Sequence, residues 1–216
     1  MYLLRQNEIA HPIHWTENFL LDNEIETIIK YTENLSVEEA KIGGNILEKE
    51  KKEFTLDYHI KNPDIGNVPR KRITNIKWMT LNDETNWLYK KIIKEINRVN
   101  QENFDLVLKF VENLQFSEYR EDHQGFYSKH DDCDRKESLK NFVDIRKLSF
   151  SIQLTDEKEY KGGELIFHMH NGEEKVAPKS KGTIIFFNSD IVHEVKPVKK
   201  GVRHALVSWV NGPNLR

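Results

Sequence analysis

Leu148-Ser149-Phe150-Ser151-Ile152-Gln153-Leu154-Thr155 decides the fold, because apolar and polar side chains alternate along it without a break. A β-strand turns successive residues to opposite faces. Leu148, Phe150, Ile152 and Leu154 therefore share one side, and Ser149, Ser151, Gln153 and Thr155 the other. Such a strand has unlike surroundings on its two faces. Downstream, Gly162-Gly163 announces a turn into Glu164-Leu-Ile-Phe-His168, and Asn171-Gly172 is a hairpin signal. Gly182 then leads into the apolar run Thr183-Ile-Ile-Phe-Phe-Asn188. The last strand reads Arg203-His-Ala-Leu-Val-Ser-Trp-Val210, before Asn211-Gly-Pro. Upstream, 106–110 and 114–119 are short strand-like runs. Many short strands after a helical half predict a mainly β fold with flanking α-helices (α+β), a β-sandwich or jelly roll with the helices packed outside it.

Two helices are legible in the first half. Asp22 can cap a segment carrying Ile25, Ile28 and Ile29, with Tyr31 and Leu35 beyond, in a stripe that stops near Gly43-Gly44. A second begins near Asn82 or Asp83 and carries Leu88, Ile92, Ile96 and Val99, with Trp87 and Ile93 beside them. Both stripes read as faces packed on a sheet. Between them, residues 48–71 are dense in charge and turn signals, so a loop or hairpin is expected there, placed to close over a substrate if it lies near a site. The expected organisation is a single domain over 1–216, with a helical and loop part (1–103) packed on a jelly-roll core (104–216).

With 216 residues, 38% of them hydrophobic, the chain is long enough to bury one full core. A formal net charge of −2 disfavours nucleic acid as a partner, as does the lack of a basic, aromatic strip. Cys133 is the only cysteine, which rules out an internal disulfide framework and fits a reducing compartment. No apolar run approaches the roughly 20 residues that a membrane span requires, and the first residues do not read as a signal peptide. A cytoplasmic protein without membrane contact is expected.

The chemistry starts at Tyr127-Ser-Lys-His130-Asp-Asp132. His130 and Asp132, two apart in an extended segment, point to one side. His193 follows an apolar strand and a turn, and Arg203 comes ten residues later. Arg203, Ala205, Val207 and Trp209 alternate onto one face, which would aim a guanidinium into an otherwise apolar interior. A buried cation needs an anion, from a protein carboxylate or from a ligand; a guanidinium suits a dicarboxylic acid. His130, Asp132 and His193 together form a two-histidine, one-carboxylate set that covers one face of an octahedral metal and leaves three positions open, as Fe(II) oxygenases require. Of the other histidines, His11, His14 and His59 read as surface or structural, and His168 and His170 run into a turn. His204 reads as outward-facing, and His123 as lying near the site without being a ligand.

These residues resemble the Fe(II)- and 2-oxoglutarate-dependent dioxygenases, within them the prolyl 4-hydroxylase-like group. The motifs are Tyr119, Gly125-Phe-Tyr127-Ser-Lys-His130-Asp-Asp132, the 148–156 strand, Tyr160-Lys-Gly-Gly-Glu-Leu-Ile-Phe, Gly182-Thr-Ile-Ile-Phe-Phe, His193-Glu-Val-Lys-Pro-Val and Gly201-Val-Arg203, over roughly 110–211. Arg203 stands where procollagen-type enzymes place Lys, so the pattern is nearer to oxygen-sensing, bacterial and viral members. The resemblance implies a double-stranded β-helix with iron on His130, Asp132 and His193. It further implies 2-oxoglutarate held through its distal carboxylate by Arg203 with Tyr119, a pocket lined by Trp209 and Leu165, and Tyr127 beside the metal. Dioxygen is the co-oxidant, and ascorbate an admissible auxiliary. The implied reaction is hydroxylation of a C–H bond, with a peptidyl proline as substrate and hence a peptide or protein partner. Another side chain or a small molecule is the alternative within the same chemistry. A non-catalytic cupin-like binding protein is the alternative of another class; a zinc hydrolase would lack a general base and leave Arg203 unexplained.

Overall fold

A computed structural model of the protein describes residues 12–39, 71–133 and 144–214. The alternating stretch becomes β8 (Ile145–Gln153), flanked in the larger sheet by β12 (Ile184–Asn188) and β15 (Val202–Gly212). Both pairings are antiparallel, and Phe150 faces Phe186 on one side and Ser208 on the other. Past β12 the sheet ends at β1 (Ile13–Thr16). Past β15 it continues through β6 (Leu114–Arg120), β4 (Asn75–Met79) and β2 (Glu38–Glu39), while β5 (Phe110–Val111) pairs with the end of β15. The smaller sheet runs in the order β11 (Glu174–Val176), β10 (Leu165–His168), β13 (Val192–Val195), β7 (Phe126–His130) and β3 (Arg72–Ile73). A short ribbon joins β9 (Lys161–Gly162) to β14 (Val198–Lys200). Two facing antiparallel sheets with non-consecutive neighbours are the jelly roll that the strand pattern predicts.

The core divides in two, and β8 is the partition. On one side its Leu148, Phe150 and Ile152, with Leu154 just past its end, pack with Phe116, Phe186 and Leu206 against α1 (Asp22–Glu33) and α2 (Asn86–Val99). On the other side Tyr119, Ile185 and Phe187 of the larger sheet meet Leu165, Phe167 and Val195 of the smaller one. The polar face of β8 therefore looks between the sheets. Ser149, Ser151 and Gln153 are buried there, as are Gln115 and Ser117 of β6, whose side chains bond to each other at 2.8 Å. The interior facing Arg203 is thus polar in large part rather than apolar, because the apolar half of each of these strands is turned to the helices.

Three boundaries differ from expectation for local reasons. Helix α1 starts with Asp22 already inside it: Leu21 is the cap position, and its N–H is taken by Glu24 at 2.8 Å. It ends at Glu33, well before the Gly43-Gly44 pair, where Lys77 of β4 donates to the Thr32 carbonyl at 2.7 Å and satisfies a terminal acceptor. Helix α2 begins at Asn86 rather than near Asn82, because the Asn82 side chain accepts the N–H groups of Glu84 and Thr85 and holds a turn there. The run 106–110 is strand only at its last residue, since the Asn100 side chain bonds both the N–H and the carbonyl of Leu106. The first half is also more than helix and loop: β1, β3 and β4 place it in both sheets. Of the charged stretch 48–71, only Lys71 lies among the described residues, so the expected lid lies outside them, as do His11 and His59.

Candidate active site

Strand pairing brings the candidate ligands together. His130 and His193 occupy facing positions on β7 and β13, and a register shift follows His193. Asp132 comes just past the end of β7, its N–H bonded to the Ser189 carbonyl at 2.8 Å, while Ser189 and Ser149 bond through their hydroxyls at 2.9 Å. The polar face of β8 thus props the loop that carries the carboxylate. One donor atom from each of His130, Asp132 and His193 lies within 4.8 Å of the others.

Both rings are oriented from behind. His130 Nδ1 lies 2.8 Å from the Ser128 carbonyl, and His193 Nδ1 lies 2.9 Å from that of Ile191. A carbonyl only accepts, so each Nδ1 carries the proton and each Nε2 presents a lone pair. Those lone pairs face separate oxygens of Asp132, at 3.7 Å for His130 and 3.6 Å for His193. These gaps exceed a hydrogen bond, and ligand atoms bound at right angles with bonds of about 2.1 Å would sit about 3 Å apart. The donor set and its spacing fit a divalent metal.

Electrostatics agree with that fit. Burial, and next the neighbouring His193, push the His130 imidazole down to about 4, so it is neutral at neutral pH. Burial alone would raise the Asp132 carboxyl, but the two imidazoles, with Ser149 and Trp209, outweigh it and hold it below the usual range. A neutral imidazole at His130 and a carboxylate at Asp132 result. Tyr127 stacks on the His130 ring at 3.5 Å between centroids, and Phe187 meets His193 edge-on at 4.7 Å, which leaves neither ring free to turn. Burial raises the Tyr127 phenol.

Arg203 is 2% exposed, and its Nη2 donates to Gln153 Oε1 at 3.1 Å, a neutral amide rather than a carboxylate. Its Nε is buried with no hydrogen-bond partner among the described residues. Tyr119 faces it in register across β6 and β15, with the guanidinium carbon 5.3 Å from the Tyr119 ring centroid. Leu165 is buried between the sheets. Trp209, also buried, has the Arg146 guanidinium 3.8 Å above its ring, and Glu112 holds that Arg146 through two bonds of 2.7 and 2.6 Å.

Three of the remaining histidines have local partners that tie them elsewhere. His168 lies between Glu194 (2.9 Å) and Glu174 (3.1 Å). His204, expected to face outward, is half-buried, stacked on Phe116 at 5.1 Å and bonded to Glu118 at 3.0 Å. His123 lies in a short turn after β6, 3.8 Å from Asp122. Sequence reasoning missed Gln153, Ser149 and Ser189 as supports and Arg72, whose guanidinium covers the outer face of Tyr127 at 4.6 Å. The alternation of β8 held the signal for the first two: its polar face had to be buried against something.

Fold and site define a jelly-roll protein with a candidate metal centre between its sheets. The family model described as the 2OG-Fe(II) oxygenase superfamily matches residues 114–211, a little under half of the chain, and the name of that superfamily gives Fe(II) and 2-oxoglutarate as its cofactors. A PKHD-type hydroxylase of Prochlorococcus marinus (strain MIT 9515) is 43% identical over 63 residues, which are 29% of this chain and 28% of that one. One from Alteromonas mediterranea is 38% identical over 63 residues, 29% of this chain and 27% of its own. The match therefore spans little more than a quarter of these relatives. Among solved structures, a Pseudomonas putida prolyl-4-hydroxylase aligns over 93% of this chain and 92% of its own, with a TM-score of 0.63 at 17% identity. A Trichoplax adhaerens prolyl hydroxylase, in complex with a hypoxia inducible factor oxygen degradation domain peptide fragment, aligns over 93% and 84%, with a TM-score of 0.66 at 17% identity. At such identities the likeness carries the fold.

Proposed function

We propose that this chain is an Fe(II)- and 2-oxoglutarate-dependent dioxygenase that hydroxylates a C–H bond, with a peptidyl proline as its substrate. One observation carries the reading: a His, Asp, His set lies between the sheets, and the buried cation that shares its interior bonds a neutral amide rather than a carboxylate among the described residues. A metal alone would not require Arg203; a chelating acid with a second, distal carboxylate would.

In this reading His130, Asp132 and His193 hold the iron, which when bound supplies the oxidative decarboxylation of 2-oxoglutarate to succinate and the hydroxylation coupled to it. The chain supplies aim and exclusion. The Ser128 and Ile191 carbonyls keep both Nε2 atoms forward, and the Asp132 carboxylate balances charge. Arg203 draws the distal carboxylate inward, with Gln153 fixing the plane of its guanidinium and Tyr119 beside it. Tyr127 and Trp209 form apolar walls that limit water near the metal.

A peptide substrate is supported by the relatives' description as hydroxylases and by the Trichoplax enzyme's bound peptide. Among the described residues no helix is long and apolar enough to cross a membrane. A cytoplasmic site of action is part of this proposal, and the single, free Cys133 fits it. We take the whole chain as one domain, since strands from its first half complete both sheets.

The test is anaerobic addition of Fe(II) and then 2-oxoglutarate, followed by oxygen and proline-containing peptides. A visible charge-transfer band, then succinate matched by one added oxygen per peptide on proline, is the expected result. Succinate with the oxygen on another residue or a small molecule moves the substrate but keeps the chemistry. No band and no succinate leaves a cupin-like binding protein.

A further inference from the structure

Phe110 has no place in the reading above. It is a large apolar side chain left 51% exposed, on β5, whose pairing among the described residues is with the end of β15. Its direction follows from its neighbour. Val111 and its register partner Val210 both pack against the helix-side core, so Phe110 turns to the opposite face of the sheet, the one that carries Trp209. Asn211 stands opposite Phe110 in register, and its amide donates to Glu112 Oε1 at 2.8 Å.

A continuous wall therefore runs outward from the candidate metal centre. It begins at Trp209, whose indole helps to keep the Asp132 carboxyl charged, and passes to Arg146, 3.8 Å above that ring. Glu112 grips Arg146 and meets Asn211, and Phe110 comes last. The polar groups of this wall are committed to one another, and Lys109, beside Phe110, is committed to Asp144 at 2.7 Å. The Phe110 ring is half open. A lone exposed apolar residue is ordinary on a protein surface. What singles this one out is its place at the end of a wall that starts at the metal ligands.

We propose that Phe110 is a specificity-determining contact for a peptide substrate, its ring seating an apolar side chain, such as leucine, that flanks the reacting residue. The proposal rests on the peptide-hydroxylase reading above and gives that substrate an anchor outside the reaction centre. An extended peptide advances about 3.3 Å per residue, so side chains several positions from the reacting one reach along such a wall. An aromatic face offers them apolar contact area without asking for a hydrogen bond.

A peptide set tests this: one central proline in an alanine background, with a single leucine moved along the flanks. Binding is read by competition on the full-length, zinc-loaded and redox-silent protein with 2-oxoglutarate present, and added oxygen is read on the iron-loaded protein. At one or two adjacent positions leucine should tighten binding to wild type about fivefold, as partial burial of an isobutyl group gives. Phe110→Ala should remove that gain and leave the leucine-free peptide bound as before, and Phe110→Trp should keep the gain. A gain that survives Phe110→Ala overturns the proposal, as does the absence of any favoured position. An equal loss for the leucine-free peptide overturns it too, since Phe110 would then be a brace for the wall. Hydroxylation without a leucine preference rejects this contact alone; if wild type neither binds nor hydroxylates any peptide of the set, the peptide reading falls and the contact with it.

Discussion

On the outward face of β8, Leu148, Phe150 and Ile152 are 0% exposed beneath the helices; on the inward face, Ser149, Ser151 and Gln153 are 0%, 5% and 2% exposed between the sheets. Burial is the same and chemistry is opposite. The outward residues need only volume and contact, which apolar burial supplies at about 25 cal/mol per Å². The inward ones need partners, and each hydroxyl or amide that finds one fixes a neighbour: Ser149 holds Ser189, and Gln153 holds Arg203. One face of a single strand works for stability and the other for the site, so substitutions on the two faces should separate those properties.

The largest effect belongs inside. Asp132→Ala should remove succinate formation down to background and weaken Fe(II) binding, while the metal-free protein keeps its unfolding midpoint; retained wild-type turnover would reject the metal assignment. On the other face, Phe150→Ala should cost about 3–5 kcal/mol of stability in urea unfolding and leave 2-oxoglutarate affinity unchanged in the molecules still folded. Comparable losses of affinity and stability there would show that the faces are coupled.

Arg203→Met exchanges a buried cation for an apolar side chain of similar reach. It should raise the KM for 2-oxoglutarate on the order of 100-fold, as loss of a charge-assisted pair implies, with little loss of stability or a gain. A marked fall in stability would mean that Arg203 holds the sheets together.

The smallest expected effect concerns one polar pair on the outward side, Glu118 with His204. The hydrogen bond from His204 lowers the Glu118 carboxyl from 4.5 to about 2, against burial and aided by Asn75 and Arg120. A carboxyl lowered by folding stabilises the native state fully above its unfolded value, and that contribution is lost as pH falls through the folded one. Stability should therefore drop by about 1–2 kcal/mol between pH 4.5 and 2, and Glu118→Gln should remove this acid limb. Identical acid profiles for the two proteins would deny the pair that role.

Much of this was readable in the chain because period and spacing are local signals. The alternation at 148–155 and the glycine punctuation after it predict a jelly roll, and His130, Asp132, His193 and Arg203 stand out by residue type. What escaped depended on pairings between distant segments. Nothing near Gln153 says that it will lie beside residue 205, its partner across β8 and β15, within reach of Arg203. Nothing near Asn100 says that its amide will claim both backbone groups of Leu106 and shorten a strand. Ile13–Thr16 is too brief to show a period, and it becomes a strand because β12 offers an open edge.

The facing positions of His130 and His193 have one more consequence. A slip of one residue between β7 and β13 would turn one histidine to the opposite side of its sheet, so no misaligned molecule can assemble a partial version of the site. Misfolded protein would be silent instead of sluggish. In fully metal-loaded protein, specific activity then works as a census: it counts the molecules whose two strands were threaded correctly.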